Sequence, residues 1–227
     1  MDEEQNATDV EFSLLQTLRS SDLSDIAKDA AEIGLDAVLK DGLLKDVPVV
    51  GWIVAAGKTA STVRDYFLIR KILKFLAGLS DVPKDERDSF IAKVEEDNKF
   101  GNRVAETLVM LLDRYDHINK ASLMSKLFSS YGRGEIDYSD FLRLSTAVDR
   151  AFMPDLSDLL DYFADKGIDP KRAKRNVYAS GLSDFYVLTE EQQQKAGLEY
   201  PQIYHFNPYA QKLAKCVLGP LFHGDRW

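Results

Sequence analysis

Two clusters of basic side chains are the residues of this sequence whose types and spacing best suit a binding role. One cluster consists of Arg64, Arg70, Lys71 and Lys74. The other consists of Lys171, Arg172, Lys174 and Arg175. Lysine and arginine side chains bind phosphate groups through their charge and their N–H donors. The first cluster is therefore a candidate for contact with an anionic membrane surface, and the second is a candidate for contact with the phosphates of a nucleic acid.

The sequence contains no recognisable catalytic or metal-binding motif. Its histidines, His117, His205 and His223, are far apart, and no HxxxH, HExxH or CxxC pairing exists that would hold a metal ion. The phosphate loop GxxxxGK[ST] and the nucleophile motif GxSxG are also absent from the sequence. We therefore predict a non-enzymatic protein without a cofactor or a metal.

An uncharged run, VPVVGWIVAAG at residues 47–57, precedes the first basic cluster. It is about half of the roughly 20 residues that a membrane-spanning helix requires. Gly51, Ala55 and Thr59 are spaced four apart, which is typical of a small-residue ridge where two helices approach closely. Beside the ridge, a wider apolar face consists of Val49, Trp52, Ile53 and Ala56.

Two interpretations of this segment stay open at the level of the sequence. In the first, residues 47–57 and a helix over residues 58–79 form a hairpin in the protein core. In the second, the hairpin contacts a membrane surface, another protein or a second copy of the chain, because a tryptophan beside basic residues suits such a surface. The candidate contact residues are Val49, Gly51, Trp52, Ile53, Ala55 and Thr59, together with Arg64, Arg70, Lys71 and Lys74.

Charge is distributed unevenly along the chain. The net charge is −8, and residues 1–46 contain 12 acidic and 4 basic side chains, whereas residues 47–79 contain 5 basic side chains and Asp65 alone as an acid. Opposite charges on neighbouring segments attract each other. We therefore expect the acidic N-terminal arm to mask the hairpin until a trigger releases it.

The periodicity of apolar residues predicts a mainly α fold, a helical bundle with a small C-terminal winged-helix-like α+β module. The predicted divisions are an acidic helical arm at 1–46, a bundle at 47–153 and the module at 154–227. Helices are predicted over residues 22–40, 58–79, 83–97, 101–116 and 118–131, and from Asp137 onward. The module has predicted helices at 154–166 and 170–180, β-prone runs at 185–188 and 202–206, and a last helix that Asn207 and Pro208 open.

The second basic cluster lies on the predicted 170–180 helix, with Ala173 and Val177 on its opposite side. That helix would occupy the recognition position of a winged-helix module and could contact phosphates. The overall acidity of the chain, and Asp161, Asp165, Asp169 and Asp184 around the helix, count against nucleic-acid binding. A regulator that binds nucleic acid, and an adaptor subunit of a larger complex, are therefore the alternatives to contact through the hairpin.

The run LLKDVPVVGWIVAAGKTASTVRDYFLIRKILKFL, followed by DVPKDERDSFIAKVEED, resembles a family of uncharacterised bacterial proteins of similar length. The shared positions are Leu43 to Gly51, Lys58-Thr59 and Arg64 to Phe67, and the resemblance covers roughly residues 30–155. The resemblance implies an antiviral, abortive-infection type of function at phage-defence loci and transfers no catalytic residue. The order of an acidic helix before an apolar and basic hairpin is also similar in architecture to helical membrane-disrupting effectors.

The cysteine content and the N-terminal sequence indicate the cellular compartment of the protein. The single cysteine, Cys216, excludes an internal disulfide and fits a reducing environment. The acidic N-terminus is unlike a secretory signal or a mitochondrial presequence. We expect a bacterial cytoplasmic protein that associates with another protein or with itself, and that can lie peripherally at the inner membrane.

Overall fold

The computed structural model describes residues 12–20, 47–56, 63–96 and 101–223. Contacts between residues divide the chain into two units, with the division after Ile136. The sequence pattern predicts this division after residue 153. The division falls earlier because the helix that follows Asp137 packs against a short 3₁₀ turn and the last α-helix of the C-terminal unit. The predicted helix at 22–40 lies outside the described residues.

The described part of the N-terminal unit is helical. Its helices are residues 12–18 (α1), Pro48–Ala56 (α2), Val63–Ala77 (α3), Lys84–Glu96 (α4), Gly101–Arg114 (α5) and Ile118–Gly132 (α6). The C-terminal unit contains Tyr138–Arg150 (α7), Met153–Phe163 (α8), Pro170–Asn176 (α9), Ser183–Val187 (β1), Glu190–Ala196 (α10), Gln202–Phe206 (β2) and Pro208–Leu218 (α11). The predicted mainly α fold with a small C-terminal α+β part is confirmed.

The core of the N-terminal unit forms where α3 packs on α6. Phe75 of α3 is fully buried and meets Phe128 of α6 edge to face, with 5.5 Å between ring centroids. Helix α1 joins this core through Leu14 and Leu18, which are both buried. The Thr17 hydroxyl accepts a hydrogen bond of 3.1 Å from the backbone N–H of Val49, which is in the first turn of α2. It thereby satisfies an N–H that has no partner within the helix. One face of residues 12–18 of the acidic arm is thus part of the core, while Phe12 is exposed.

Gly78, the residue after α3, lies directly against Ser125 of α6. A Cβ atom at this position would lie 2.0 Å from the Ser125 Oγ and 2.7 Å from the Ser125 Cβ. Only a residue without a side chain fits unless α3 and α6 move apart.

We expect Gly78→Ala to lower the free energy of unfolding by about 1–3 kcal/mol, because an extra methyl overpacks the contact with Ser125. Ser125→Gly should recover part of the loss in the double variant, since it removes the clashing atoms. Urea unfolding of the two single variants and the double variant measures the coupling. Strictly additive losses would contradict a direct clash.

The C-terminal unit places a two-stranded antiparallel sheet beside helices α8, α9 and α11. Strand β1 pairs with β2 in a register that sets Phe185 opposite Tyr204 and Ser183 opposite Phe206. The Phe206 ring packs against Phe163 of α8 with 5.1 Å between centroids, and this contact joins the sheet to the helical core. Asn207 caps α11 by accepting hydrogen bonds from two backbone N–H groups, as its sequence position indicates.

Two details of this unit differ from the predictions. The predicted helix over 170–180 is α-helical only to Asn176 and continues as a 3₁₀ turn over Tyr178–Ser180. The Ser183 hydroxyl donates a hydrogen bond to the Lys174 carbonyl, one of the last carbonyl groups of this helix, which have no partner within it. The polar tract between the strands is helix α10, and it begins with a capping box formed by Thr189 and Gln192.

Candidate functional site

The beginning of the apolar half of the predicted hairpin, residues 47–50, lies in the core. Val49 is fully buried, and Gly51 and Trp52 are half-buried in α2. Ile53 and Ala55 also belong to α2, but their side chains, like all of Thr59, lie outside what the structure describes. The core interpretation of residues 47–50 therefore agrees with the burial of Val47, Val49 and Val50.

Lys71 does not belong to the exposed basic surface that the sequence predicts. Its side chain is buried, and Nζ donates hydrogen bonds to the carbonyl oxygens of Asp113, at 2.7 Å, and of Tyr115, at 2.8 Å. These carbonyls lie at the end of α5, where a cation satisfies groups without helical partners. Burial lowers the pKa of Lys71 from its usual value, and the neighbouring Asp113 partly opposes this shift. Lys71 is thus a helix cap.

The other three basic residues of the first cluster lie on the outer side of α3. Arg64, Arg70 and Lys74 alternate with Phe67 at spacings of three or four residues, which places all four on one stripe of the helix. Phe67 is 50% exposed, and the Arg70 guanidinium lies 5.8 Å from the centroid of the Tyr66 ring. We call these four residues the α3 stripe. It borders a shallow groove of about 600 Å³ that reaches the end of α5.

Asp113 faces the stripe and forms a two-point ion pair with Arg64. The hydrogen bond from Arg64 is the main cause that holds the pKa of Asp113 below its usual value. A carboxylate whose pKa is lower in the folded state stabilises the fold above its unfolded pKa, and the stabilisation is lost as pH falls through the folded pKa.

We therefore expect Asp113→Asn to destabilise the N-terminal unit at pH 7 by at most about 1 kcal/mol, because the Arg64 side chain is mostly exposed and solvent weakens the pair. Below about pH 4 the wild type should lose this advantage, so the two stability curves should converge. Chemical unfolding monitored between pH 3 and pH 7 measures the difference. A gap that widens toward low pH would contradict the assignment.

The second basic cluster lines one groove of the C-terminal unit. Helix α9 forms one wall with Lys171, Arg172, Lys174 and Arg175, all four of the predicted residues. Strand β2 and the segment before it form the other wall, with Tyr200, Tyr204 and His205. The groove has a volume of about 810 Å³. We call it the α9–β2 groove. Ala173 and Val177 are fully buried on the opposite side of α9, as their spacing predicts.

Several acidic residues lie around the α9–β2 groove and have partners of their own. Asp158 pairs with Arg172 at 2.7 Å, and Asp161 pairs with Lys166 at 2.8 Å. Asp169 caps α9 by accepting a hydrogen bond from the Lys171 backbone N–H at 3.0 Å. Asp184 accepts a hydrogen bond of 3.4 Å from the Asn207 side chain. Asp158 neutralises one cation of the cluster, whereas the carboxylates of Asp169 and Glu199 line the groove itself and keep their negative charge there.

Three cations of the groove remain available to a ligand. Neither Lys171 nor Arg175 forms an ion pair within the described residues, and both side chains are exposed. The Lys174 Nζ lies 5.8 Å from the centroid of the Phe206 ring and is not paired with a carboxylate in the described chain. Arg172 is the exception, because Asp158 already neutralises it. The wall of α9 thus presents three cations that are not in an ion pair with any described residue, and they outnumber the two acids that line the groove, Asp169 and Glu199.

The rings of Tyr200 and Tyr204 line the other wall of the groove, and Tyr204 packs against further aromatic rings behind it. Tyr200 is 64% exposed, and Tyr204 packs against Phe185 with 5.2 Å between centroids. Tyr178 lies 5.5 Å from Tyr204 and 6.0 Å from Phe185, and this cluster of three rings is partly open to solvent. The sequence pattern did not identify these aromatic residues as part of a site. The alternation in the run Gln202–Phe206 was the available signal, since alternate strand residues share a face.

Metal sites and membrane spans are two further possibilities that the structure addresses. Among the residues that the structure describes, no group of histidine, cysteine and acidic side chains is arranged to hold a metal ion. Within the same ranges, every helix is too short or too polar to cross a membrane. Comparisons with protein-family models, with curated proteins and with solved structures found no match. The family resemblance and the winged-helix assignment therefore stay predictions.

Proposed function

We propose that this protein binds single-stranded nucleic acid through the α9–β2 groove. One observation carries the proposal: three cations that are not in an ion pair within the described ranges form one wall of a groove, and the exposed Tyr200 and the half-buried Tyr204 are part of its other wall. Lysine and arginine neutralise backbone phosphates, and tyrosine rings stack with bases of any sequence. This combination is typical of proteins that hold a single strand with little sequence preference.

The shape of the site favours a single strand over a duplex. A helix that reads duplex DNA projects into the major groove from the protein surface. Here the cations of α9 line a concave groove whose second wall is β2, and α9 has only 7 residues, a length of about 10 Å. A flexible strand can enter such a groove with its bases turned toward Tyr200 and Tyr204, whereas a rigid duplex is excluded from it.

Fluorescence anisotropy of a labelled oligothymidylate with the full-length protein tests the proposal. Because three cations are available, the logarithm of the binding constant should fall with the logarithm of the salt concentration with a slope of about −2. A duplex of the same length should bind more weakly. Absence of binding at low salt, or equal affinity for the duplex, would exclude this function.

A second candidate function is favoured by the α3 stripe. Arg64, Arg70 and Lys74 flank the exposed Phe67, and this pattern suits an anionic membrane surface or an acidic partner protein. We propose this contact as the alternative, and it retains the expectation of a non-enzymatic protein of abortive-infection type. The burial of Val49 and Val50 means that the apolar half of the hairpin would have to leave the core before it could insert.

Flotation with anionic liposomes tests this alternative. The reversal of Arg70 and Lys74 to glutamate should abolish co-flotation, whereas reversal of the exposed Lys126 on α6 should have little effect. If the wild type does not float with liposomes, membrane contact through the α3 stripe is excluded. An unchanged oligonucleotide affinity in the α3 variants would show that the two surfaces act separately.

A further inference from the structure

Arg87 is a buried cation without a carboxylate partner. Its side chain is only 8% exposed, and it forms no ion pair within the described part of the chain. The guanidinium donates hydrogen bonds to the carbonyl oxygens of Ser20, at 3.0 Å, and of Val82, at 3.3 Å. Its Nε–H is buried and has no acceptor among the residues that the structure describes. Burial lowers the pKa of Arg87 from its ordinary value.

An arrangement of this kind is costly and therefore calls for a physical reason. A buried charge is normally paired, and a buried donor without an acceptor destabilises the fold by about 1–3 kcal/mol. An anion that binds beside the guanidinium would supply the missing charge. The neutral carbonyl groups of Ser20 and Val82 do not supply it.

Arg87 lines a pocket of about 360 Å³ in the N-terminal unit. The pocket is lined by apolar side chains from three helices and the turn after α3: Leu18, Leu79, Ile91 and Phe128. Its volume is within the range of small-molecule sites, which combine an apolar lining with a few polar groups that orient the ligand.

The other charged residues of the pocket limit the charge of a ligand. Arg133 lines it with its guanidinium paired to Glu135, while Asp85 and Glu86 are exposed. Because Glu135 neutralises Arg133, Arg87 is the cation that the lining leaves for a ligand. Asp85 and Glu86 would repel a dianion such as phosphate about twice as strongly as a singly charged ligand, so a single negative charge against Arg87 is favoured. The apolar lining requires an apolar body on the same molecule.

We propose that this pocket binds a small monocarboxylate with a compact apolar tail, and that its carboxylate pairs with Arg87. The α9–β2 groove has no part in this site, and the two ligands differ in chemistry. Octanoate serves as the probe because it has one carboxylate and an unbranched apolar chain. Octanol, which lacks the charge, and inorganic phosphate, which lacks the tail, separate the two requirements.

Isothermal titration calorimetry of the full-length protein with the three probes is the test. We expect octanoate to bind at least about tenfold more tightly than octanol, since a charge-assisted hydrogen bond is worth more than the 1.4 kcal/mol that a tenfold change represents. Phosphate should not bind measurably at the same site. Equal affinity for octanoate and octanol, or no binding of octanoate at millimolar concentration, would overturn the proposal.

Variants of residues that line the pocket test whether octanoate binds there. Arg87→Met should fold, because an apolar side chain of similar length removes the unpaired charge, and it should lose the preference for octanoate over octanol. The control is Lys84→Met, an exposed lysine at the start of the same helix that is paired with Asp88. Ser89→Trp should block the pocket without changing a core residue, since Ser89 is exposed at its edge. Octanoate binding that persists in both Arg87→Met and Ser89→Trp would contradict the site.

Discussion

Reversal of Lys171 and Arg175 to glutamate is expected to weaken the binding of single-stranded oligonucleotide by about a hundredfold at low salt. The two side chains are on the α9 wall of the groove and are not paired with acids of the described chain, so their charge is available to phosphates. Charge-assisted hydrogen bonds contribute about 1.5–3 kcal/mol each, and two of them account for a change of this size. The slope of affinity against salt should also become shallower, by about 0.7 for each phosphate that the variant no longer neutralises.

The control for this variant changes the net charge equally at a distance from the groove. Lys215 on α11 and Arg150 on α7 are exposed residues of the same unit that do not line the groove. Reversal of both to glutamate should weaken binding only slightly, and the reduction should disappear at higher salt. If this control binds as weakly as the Lys171 and Arg175 variant, then the overall charge, and not the groove, determines affinity.

Replacement of Phe75 by alanine should destabilise the N-terminal unit by about 3–5 kcal/mol. Phe75 is fully buried at the contact of α3 with α6, where its ring meets Phe128 edge to face. The variant loses the transfer free energy of the ring and leaves a cavity that close-packed helices fill only in part. Urea unfolding followed by circular dichroism measures the loss.

The matched control is Phe67→Ala on the same helix. Phe67 is 50% exposed on the α3 stripe, so its removal should change stability by less than about 1 kcal/mol. Phe67→Ala should also reduce any binding of anionic liposomes, because Phe67 belongs to the α3 stripe. Phe75→Ala should lower the free energy of unfolding instead. Similar losses of stability in both variants would show that α3 is not oriented as described.

Local signals in the sequence predicted much of the helical framework. Asn207 followed by Pro208 correctly placed the start of α11, and Asp137 caps α7 by accepting a hydrogen bond from the Asp140 N–H at 2.7 Å. Spacing alone also predicts that Ala173 and Val177 lie on the side opposite the basic residues of α9. The structure agrees, since both residues are buried. Such features depend on residues within one or two turns of each other, which is why a single sequence reveals them.

Features that depend on distant parts of the chain were missed. The Lys71 side chain is buried because its Nζ donates hydrogen bonds to carbonyl groups at the end of α5. These groups lie more than 40 residues later in the chain. The contact of Gly78 with Ser125 and the meeting of α9 with β2 in one groove likewise require the tertiary structure. Helix α10 was also missed, although its signals are local. Thr189 and Gln192 have the spacing of a capping box, and Gly197 is a residue type that commonly ends a helix.

Cross-linking by ultraviolet light tests the central claim most directly. The full-length protein would be irradiated in complex with a thymidine-rich single strand, and the modified peptides would be located by mass spectrometry. Binding in the α9–β2 groove predicts cross-links within residues 169–175 and 198–205, with Tyr200 and Tyr204 as the principal sites, because these residues form its two walls. Cross-links on the α3 stripe, with none in these two segments, would contradict the account.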